Sequence, residues 1–192
     1  IEAMAKEKGV TAAELAYEIL IENDGNNFIY APLVNYADHT FGVCKKMLDD
    51  KNAIMGLGDG GAHVGFILDA GYPTWLISYW SVKQKAYSME ETVRRLTSDT
   101  ANAAGLNDRG LLKVGLKADI NIIDWENVGS SDPFMTQDLP AGGKRLMQHT
   151  KGYVTTIVSG VVTYKNGKFT KERPGTVVKS VKDEEKTLEF IN

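Results

Sequence analysis

Asp59 is the residue whose type and position most favour catalytic chemistry. It follows the apolar run 53–57 and precedes Gly60 and Gly61. A short apolar run without alternation predicts a strand buried on both faces, as in a parallel sheet, and active sites of α/β folds gather at the carboxyl ends of such strands. A carboxylate there can bind a metal or transfer a proton, and glycines let a ligand approach the backbone closely. The aspartate could equally cap the following turn, and spacing alone does not choose.

Histidine and cysteine supply few other candidates. His63 lies four residues after Asp59, so the two would share a face of a helix, whereas in a loop His63 would orient the carboxylate or contact substrate. His39 and His149 have no partners at ligand spacing and are interpreted as structural. Cys44 lies on an apolar helical face, where a small buried hydrophobe is the expected role. The sequence contains no His-x-His pair, Cys-x-x-Cys pair, Gly-x-Ser-x-Gly motif or phosphate-binding loop.

An aromatic run follows the Asp59 segment and consists of Tyr72, Trp75, Tyr79 and Trp80. Aromatic side chains at such spacing can line an apolar substrate pocket or a subunit interface. Ordinary core packing is the alternative for at least half of the run.

The composition is that of a soluble globular protein, with 192 residues of which 43% are hydrophobic and 24% charged. The net charge of −3 gives no basic footprint, so neither nucleic acid nor an anionic membrane is an expected partner. The single cysteine fits a reducing compartment and predicts a cytoplasmic protein. The mixed-sign run 182–186 predicts a solvated tail.

The elements that must position these residues change character along the chain. Helices are expected at residues 1–8, from the Thr11 capping box onward, at 40–49 and from Ser88 onward, and short strands at 27–31 and 53–57. A partly alternating strand at 118–124, a long loop at 126–150 and a β-meander at 155–170 follow. The meander is predicted from two turn pairs, Ser159-Gly160 and Asn166-Gly167, because each places glycine where a hairpin needs a positive φ.

Helices alternating with strands predict a parallel sheet up to a junction near residues 105–110. A full (β/α)-barrel needs about 250 residues, which is more than this region has. The pattern therefore leaves two folds open: a small open α/β sheet, or part of a barrel.

Four blocks of sequence resemble the amidohydrolase superfamily, and in particular its N-acyl-D-amino-acid deacylase (D-aminoacylase) group. The first is Gly56-Leu57-Gly58-Asp59-Gly60-Gly61-Ala62-His63. The others lie, in the family's order, at 92–101, at 108–120 and at 158–168.

The resemblance implies an α/β fold, in which residues 1–107 are the C-terminal βα units of an incomplete (β/α)8 (TIM-like) barrel. Residues 108–192 would then form a small antiparallel β-domain, part of a composite β-sandwich. Family members hydrolyse C–N bonds, usually amides, with one or two divalent metals, often zinc. Asp59 matches the carboxylate that takes a proton from the metal-bound water, passes it to the leaving nitrogen and in some members also ligates a metal. Gly60, Gly61 and His63 become the expected substrate-binding residues.

Two departures from the family pattern qualify this expectation. Gly58 stands where the deacylase group commonly has Ser, and the His-x-His pair and later metal ligands have no counterpart; they would belong before Ile1. The chain is therefore expected to be a C-terminal piece of the enzyme, inactive and without tightly bound metal on its own. A second copy could cover its exposed barrel edge, giving a homo-oligomer. The alternatives are a non-catalytic structural or oligomerisation module, and a cyclic-amide hydrolase or deaminase of the same superfamily.

Overall fold

The computed structural model describes residues 1–32, 34–56 and 61–178. The chain forms two compact units, each assembled from separate segments. The first unit comprises Ile1–Ala53, His63–Ile67 and Pro133–Met147, and the second comprises Ile54–Ala62, Leu68–Asp132 and Gln148–Asn192.

Three helices of the first unit lie where the sequence predicts them: α1 (Glu2–Lys8), α2 (Ala12–Gly25) and α3 (Gly42–Leu48). Gly9 ends α1 with φ 70°, a left-handed conformation that favours glycine. Thr11 and Glu14 form the predicted reciprocal capping box at the start of α2. Ala5 of α1 and Leu15 of α2 are buried, and the two helices pack against each other.

The first unit also contains a β-hairpin, which corrects the prediction of a loop at 126–150. Its strands are β3 (Phe134–Leu139) and β4 (Gly143–Met147), joined by a 3₁₀ turn at Pro140–Gly142. They pair antiparallel, and Arg145 donates two hydrogen bonds to Asp138 across the hairpin, at 2.7 and 2.6 Å. The polar residues within β3 hid the strand, because its outward-facing side chains leave little apolar alternation to detect.

The helical part of the second unit consists of α4 (Tyr72–Trp75), a π-helical segment (Leu76–Lys83), α5 (Met89–Leu96) and α6 (Ser98–Ala103). Ser88 caps α5 as predicted, accepting a hydrogen bond from the Glu91 amide. Leu76 and Thr92 are fully buried. The helices therefore enclose the apolar core of this unit.

The sheets of the second unit confirm the predicted meander. A four-stranded antiparallel sheet has the order β1 (Ile120–Ile123), β6 (Tyr153–Val158), β7 (Val161–Lys165), β8 (Lys168–Phe169), and the short strands β2 (Gly129–Ser130) and β5 (Thr150–Lys151) form a separate pair. Both predicted turn pairs have positive φ at each residue: 51° and 81° at Ser159-Gly160, and 48° and 74° at Asn166-Gly167. The two turns set the register of the hairpins.

The predictions of strands at 27–31 and 53–57 are wrong for the residues that the structure describes. Residues 27–31 and 53–56 lie outside any helix or strand, and residue 57 lies outside the described residues. All strand pairs within the described ranges are antiparallel, so the parallel sheet is not found there. A short apolar run becomes a strand only when a neighbouring strand accepts its backbone hydrogen bonds. The fold is thus one of mixed helices and antiparallel sheets, while the barrel and the boundary at residues 107 and 108 stay predictions.

Candidate functional site

The structure describes only some of the residues that are expected to do chemistry. Gly61 and His63 are described, whereas Asp59 and Gly60 lie outside the described residues. The predicted position of Asp59 at the end of a strand, and that of His63 on the same concave surface, therefore stay predictions. The described part of the expected site is the segment that follows Asp59 and Gly60.

His63 begins a tight turn that is fixed through its backbone. Its carbonyl oxygen accepts hydrogen bonds from the amides of Phe66 and Ile67, at 3.0 and 2.9 Å. The next carbonyl, that of Val64, accepts from the amide of Leu146 in β4 at 2.8 Å. The His63 side chain is exposed, and its ring centroid lies 5.0 Å from that of Phe66. This geometry fits the loop alternative, in which the imidazole is presented to a ligand from an anchored backbone.

The backbone conformation of this segment is unusual at two positions. His63 has φ 49° and Gly61 has φ 88°, both in the left-handed region. That region costs a residue with a side chain free energy, and nine other non-glycine residues in the described ranges also adopt it. A Cβ at Gly61 would meet no atom within 4 Å. The positive φ of Gly61 therefore favours glycine, and the space beside this residue is open.

The remaining histidines and the cysteine have structural surroundings. The His39 ring packs edge-on against Tyr36 at 6.0 Å, and the His149 backbone exchanges two hydrogen bonds with Ser131, at 3.0 and 2.8 Å. The Cys44 thiol donates to the Asn35 carbonyl at 3.5 Å. Burial raises the pKa of Cys44 above its ordinary value, which disfavours the thiolate that metal binding or nucleophilic attack would need.

The aromatic run builds a packed cluster. Trp75 and Tyr79 are stacked, with ring centroids 5.0 Å apart and planes 5° apart, and Trp80 meets them edge-on at 5.6 and 5.0 Å. Trp80 is buried, while Trp75 and Tyr79 are half-buried. Stacked and edge-on pairs of this kind stabilise a core beyond the area that they bury. The packing alternative therefore accounts for Trp80, and a role of Trp75 and Tyr79 in a pocket or an interface stays a prediction.

The block at 108–120 has a structural role. Arg109 donates to Asp108 at 2.8 and 3.1 Å and to Asp119 at 3.3 Å. The second oxygen of Asp119 accepts from the Ser159 amide at 2.8 Å, which ties the segment to the turn between β6 and β7. Gly110 has φ 89°, and a Cβ there would lie 2.9 Å from the side chain of Ala101. These residues hold α6 and the sheet in place, a role that sequence inspection missed.

We expect the ion pair between Asp108 and Arg109 to make the free energy of unfolding depend on pH in the acid range. The hydrogen bond from Arg109 lowers the pKa of Asp108 below its ordinary value of 3.8. A lowered pKa in the folded state stabilises the protein above the unfolded pKa, and this stabilisation is lost as pH falls through the folded value. We expect Asp108→Asn to lower the free energy of unfolding at neutral pH by a small amount, since exposed pairs contribute little. In acid, where the stabilisation by the ion pair is lost, the variant and the wild type should have similar free energies of unfolding.

Urea unfolding at a series of pH values between neutral and acid measures this convergence. Asp69→Asn is the matched control, because Asp69 is exposed and forms no ion pair within the described part of the chain. Parallel stability curves for Asp108→Asn and the wild type would contradict the role of the pair.

The sequence matches a known protein family. The model of the amidohydrolase family matches residues 1–164. The chain belongs to the amidohydrolase family. No curated protein and no solved structure matched the chain. Three of the four resembling blocks lie wholly inside the matched range, and the fourth begins inside it.

Membership of the family supports hydrolase activity for this chain, and amidohydrolases generally bind divalent metals. Within residues 1–32, 34–56 and 61–178, however, no three His, Cys, Asp or Glu side chains are grouped so as to hold a metal ion. The described donors therefore do not supply a metal site.

None of the helices in these ranges has the length and apolar content that a membrane span requires.

Proposed function

We propose that this chain is the C-terminal part of a metal-dependent amidohydrolase that cleaves the C–N bond of N-acylated amino acids. The observation that carries the proposal is the family match over residues 1–164. It includes the block in which Asp59 is followed by Gly60, Gly61 and His63, the block that most resembles the deacylase group.

Asp59 is the proposed proton-transfer group. Amide hydrolysis adds water across the C–N bond: the attacking water loses a proton as its oxygen bonds to the carbonyl carbon, and the leaving nitrogen gains one as the bond breaks. A single carboxylate can accept the first proton and deliver it to the nitrogen, so that it ends the cycle in its starting state. This use of one group for both transfers explains why one aspartate suffices at this position.

The residues after Asp59 have a proposed role in binding. Gly61 has no atom within 4 Å of the position of a Cβ, so a substrate can approach Gly61 closely, and Gly60 is proposed to bind substrate beside it. His63 presents an exposed ring from a turn whose backbone is hydrogen-bonded. Its ring nitrogens can hydrogen-bond the acyl oxygen or the carboxylate of an N-acyl amino acid.

The metal is proposed to be zinc, held mainly by residues other than those described. A catalytic zinc site generally uses three protein ligands, and the described side chains provide no such group. The chain alone is therefore proposed to bind zinc weakly and to be inactive.

The test uses the protein expressed from the longest reading frame that contains these 192 residues. N-acyl-D-amino acids, N-acyl-L-amino acids and cyclic amides are offered at equal concentration, and release of free amine or ring opening is measured. The proposal expects turnover of an N-acyl amino acid. Turnover of cyclic amides alone would favour the alternative activity within the superfamily, and absence of any turnover would favour a non-catalytic module.

A further inference from the structure

The turn between β7 and β8 contains the one asparagine of the sequence that is followed by glycine, Asn166 before Gly167. Both residues are exposed, and both have positive φ, at 48° and 74°. The hairpin pairs Lys165 with Lys168 on either side of them, so the turn has two residues, the commonest length for a hairpin connection. The Asn166 side chain is therefore in contact with water at the tip of a tight turn.

An asparagine followed by glycine can lose its side-chain amide without an enzyme. The backbone nitrogen of the glycine bonds to the carbon of the side-chain amide, which closes a five-membered succinimide ring, and ammonia leaves. Because glycine has no Cβ, no side chain hinders the approach of that nitrogen. Water then opens the ring at either carbonyl. The product is aspartate, or isoaspartate when the main chain runs through the former side-chain carbonyl, and the net change exchanges one ammonia for one water.

Three features of the turn favour this reaction at Asn166. The Gly167 amide donates a hydrogen bond to no acceptor among the described residues, so no such bond has to break before its nitrogen attacks. A Cβ at Gly167 would meet no atom within 4 Å, so the ring has room to form. Lys165 and Lys168 flank the turn, and their positive charges favour loss of the proton from the attacking nitrogen.

Asn121, in the same unit and the same sheet, lacks these features. Its side-chain oxygen accepts a hydrogen bond from the Thr156 hydroxyl at 2.8 Å, which holds the amide in place. The residue after it is Ile122, within strand β1, and a β-branched side chain crowds the nitrogen that would have to attack. Asn121 is therefore an internal reference for an asparagine that keeps its amide.

We propose that Asn166 is a site of spontaneous deamidation, at which isoaspartate forms in the folded chain and loosens strand β8. Isoaspartate adds one carbon to the main chain of a turn whose length sets the register of the strands on either side. β8 is a two-residue strand at the edge of its sheet, and directly after it the Thr170 amide donates to the Thr163 carbonyl at 2.9 Å. A longer turn displaces β8 along β7 and weakens this hydrogen bond. The modification is separate from the chemistry proposed for Asp59.

Ageing of the purified 192-residue chain in neutral and mildly alkaline buffer tests the proposal. Cleavage after Arg145 releases residues 146–192, in which Asn166 and Asn192 are the asparagines, and fragmentation mass spectrometry assigns the product within this peptide. We expect aspartate and isoaspartate at position 166, at a rate that rises about tenfold per pH unit because the attacking nitrogen must first lose its proton. Asn121 in the same sample should stay intact. Product that forms in the urea-unfolded chain and not in the folded chain would overturn the proposal, because the turn would then protect Asn166.

Two variants separate the added main-chain carbon from the added charge. Asn166→Gln cannot close the five-membered ring and should lose the modification completely. Asn166→Asp carries the charge of the product on an ordinary main chain, so hydrogen exchange at the Thr170 amide should be as slow as in the fresh wild type. In the isoaspartate form that amide should exchange about tenfold faster, since protection reports the local opening free energy. Equal exchange at Thr170 in the isoaspartate form and in Asn166→Asp would overturn the effect on β8.

Discussion

Replacing Asp59 with Asn is expected to lower the rate of amide hydrolysis about 10²–10⁴-fold in the protein expressed from the longest reading frame containing this chain, the contribution typical of a general acid–base group. The amide keeps the size of the carboxylate but cannot accept the proton of the attacking water. The loss should therefore appear in kcat, with KM little changed. Initial rates on the N-acyl amino acid that the enzyme turns over measure both constants.

Two further variants separate this role from a structural one. His63→Ala should mainly raise KM, because His63 is proposed to contact substrate through an exposed ring. Asp69→Asn, an exposed carboxylate ten residues further along, should leave both constants unchanged. An Asp59→Asn enzyme that keeps its wild-type kcat would exclude Asp59 as the proton-transfer group.

The largest loss of stability is expected from Gly152→Ala. Gly152 has φ 86°, and a Cβ there would lie 2.6 Å and 2.9 Å from Cα and N of Val128, and 3.1 Å from the carbonyl oxygen of Asp124. All three neighbours are backbone atoms, so a rotamer change cannot relieve the overlap. The Gly152 carbonyl also accepts a hydrogen bond from the Asp124 amide at 2.7 Å, which a shift of the strand would stretch. We expect the free energy of unfolding to fall by about 3 kcal/mol or more, from combined overpacking and positive-φ strain.

Gly160→Ala is the matched control, since Gly160 has φ 81° but no atom within 4 Å of a Cβ. Its cost should be only the left-handed strain, about 1–2 kcal/mol. Urea unfolding followed by tryptophan fluorescence measures both variants, because all three tryptophans (75, 80 and 125) lie in the second unit with the two glycines. Equal losses for the two variants would contradict the close packing of Gly152 against Val128.

Local signals in the sequence predicted the ends of elements well. The Thr11 capping box, the Ser88 cap and the turn at Asn166-Gly167 all form as expected, because each depends on atoms within a few residues. The strands at 27–31 and 53–56 fail, since a strand depends on distant neighbours that a local pattern does not contain. The hairpin of β3 and β4 was missed for the opposite reason: its pairing stabilises a segment whose own composition resembles a loop.

At the candidate site, too, the sequence predicted what depends on neighbouring residues and missed contacts between residues far apart in the chain. Asp59 was selected from its neighbours in sequence, and the resemblance then supplied its role. The link from Arg109 to Asp119 and on to Ser159 could not be found in this way, because the bond between Asp119 and Ser159 joins residues forty positions apart. Opposite charges at 108 and 109 were visible, but nothing local indicates that the chain returns to meet them.

The central proposal is that Asp59 is the proton-transfer carboxylate of an amidohydrolase, and that the described residues of this chain do not supply the ligands for its metal. The most direct measurement is a calorimetric zinc titration of the purified 192-residue chain, combined with an N-acyl-amino-acid hydrolysis assay on the same sample. The account predicts no stoichiometric tight zinc and no turnover, because a lone carboxylate lacks the metal charge that makes water nucleophilic near neutral pH. One equivalent of tightly bound zinc with turnover abolished by Asp59→Asn would contradict it.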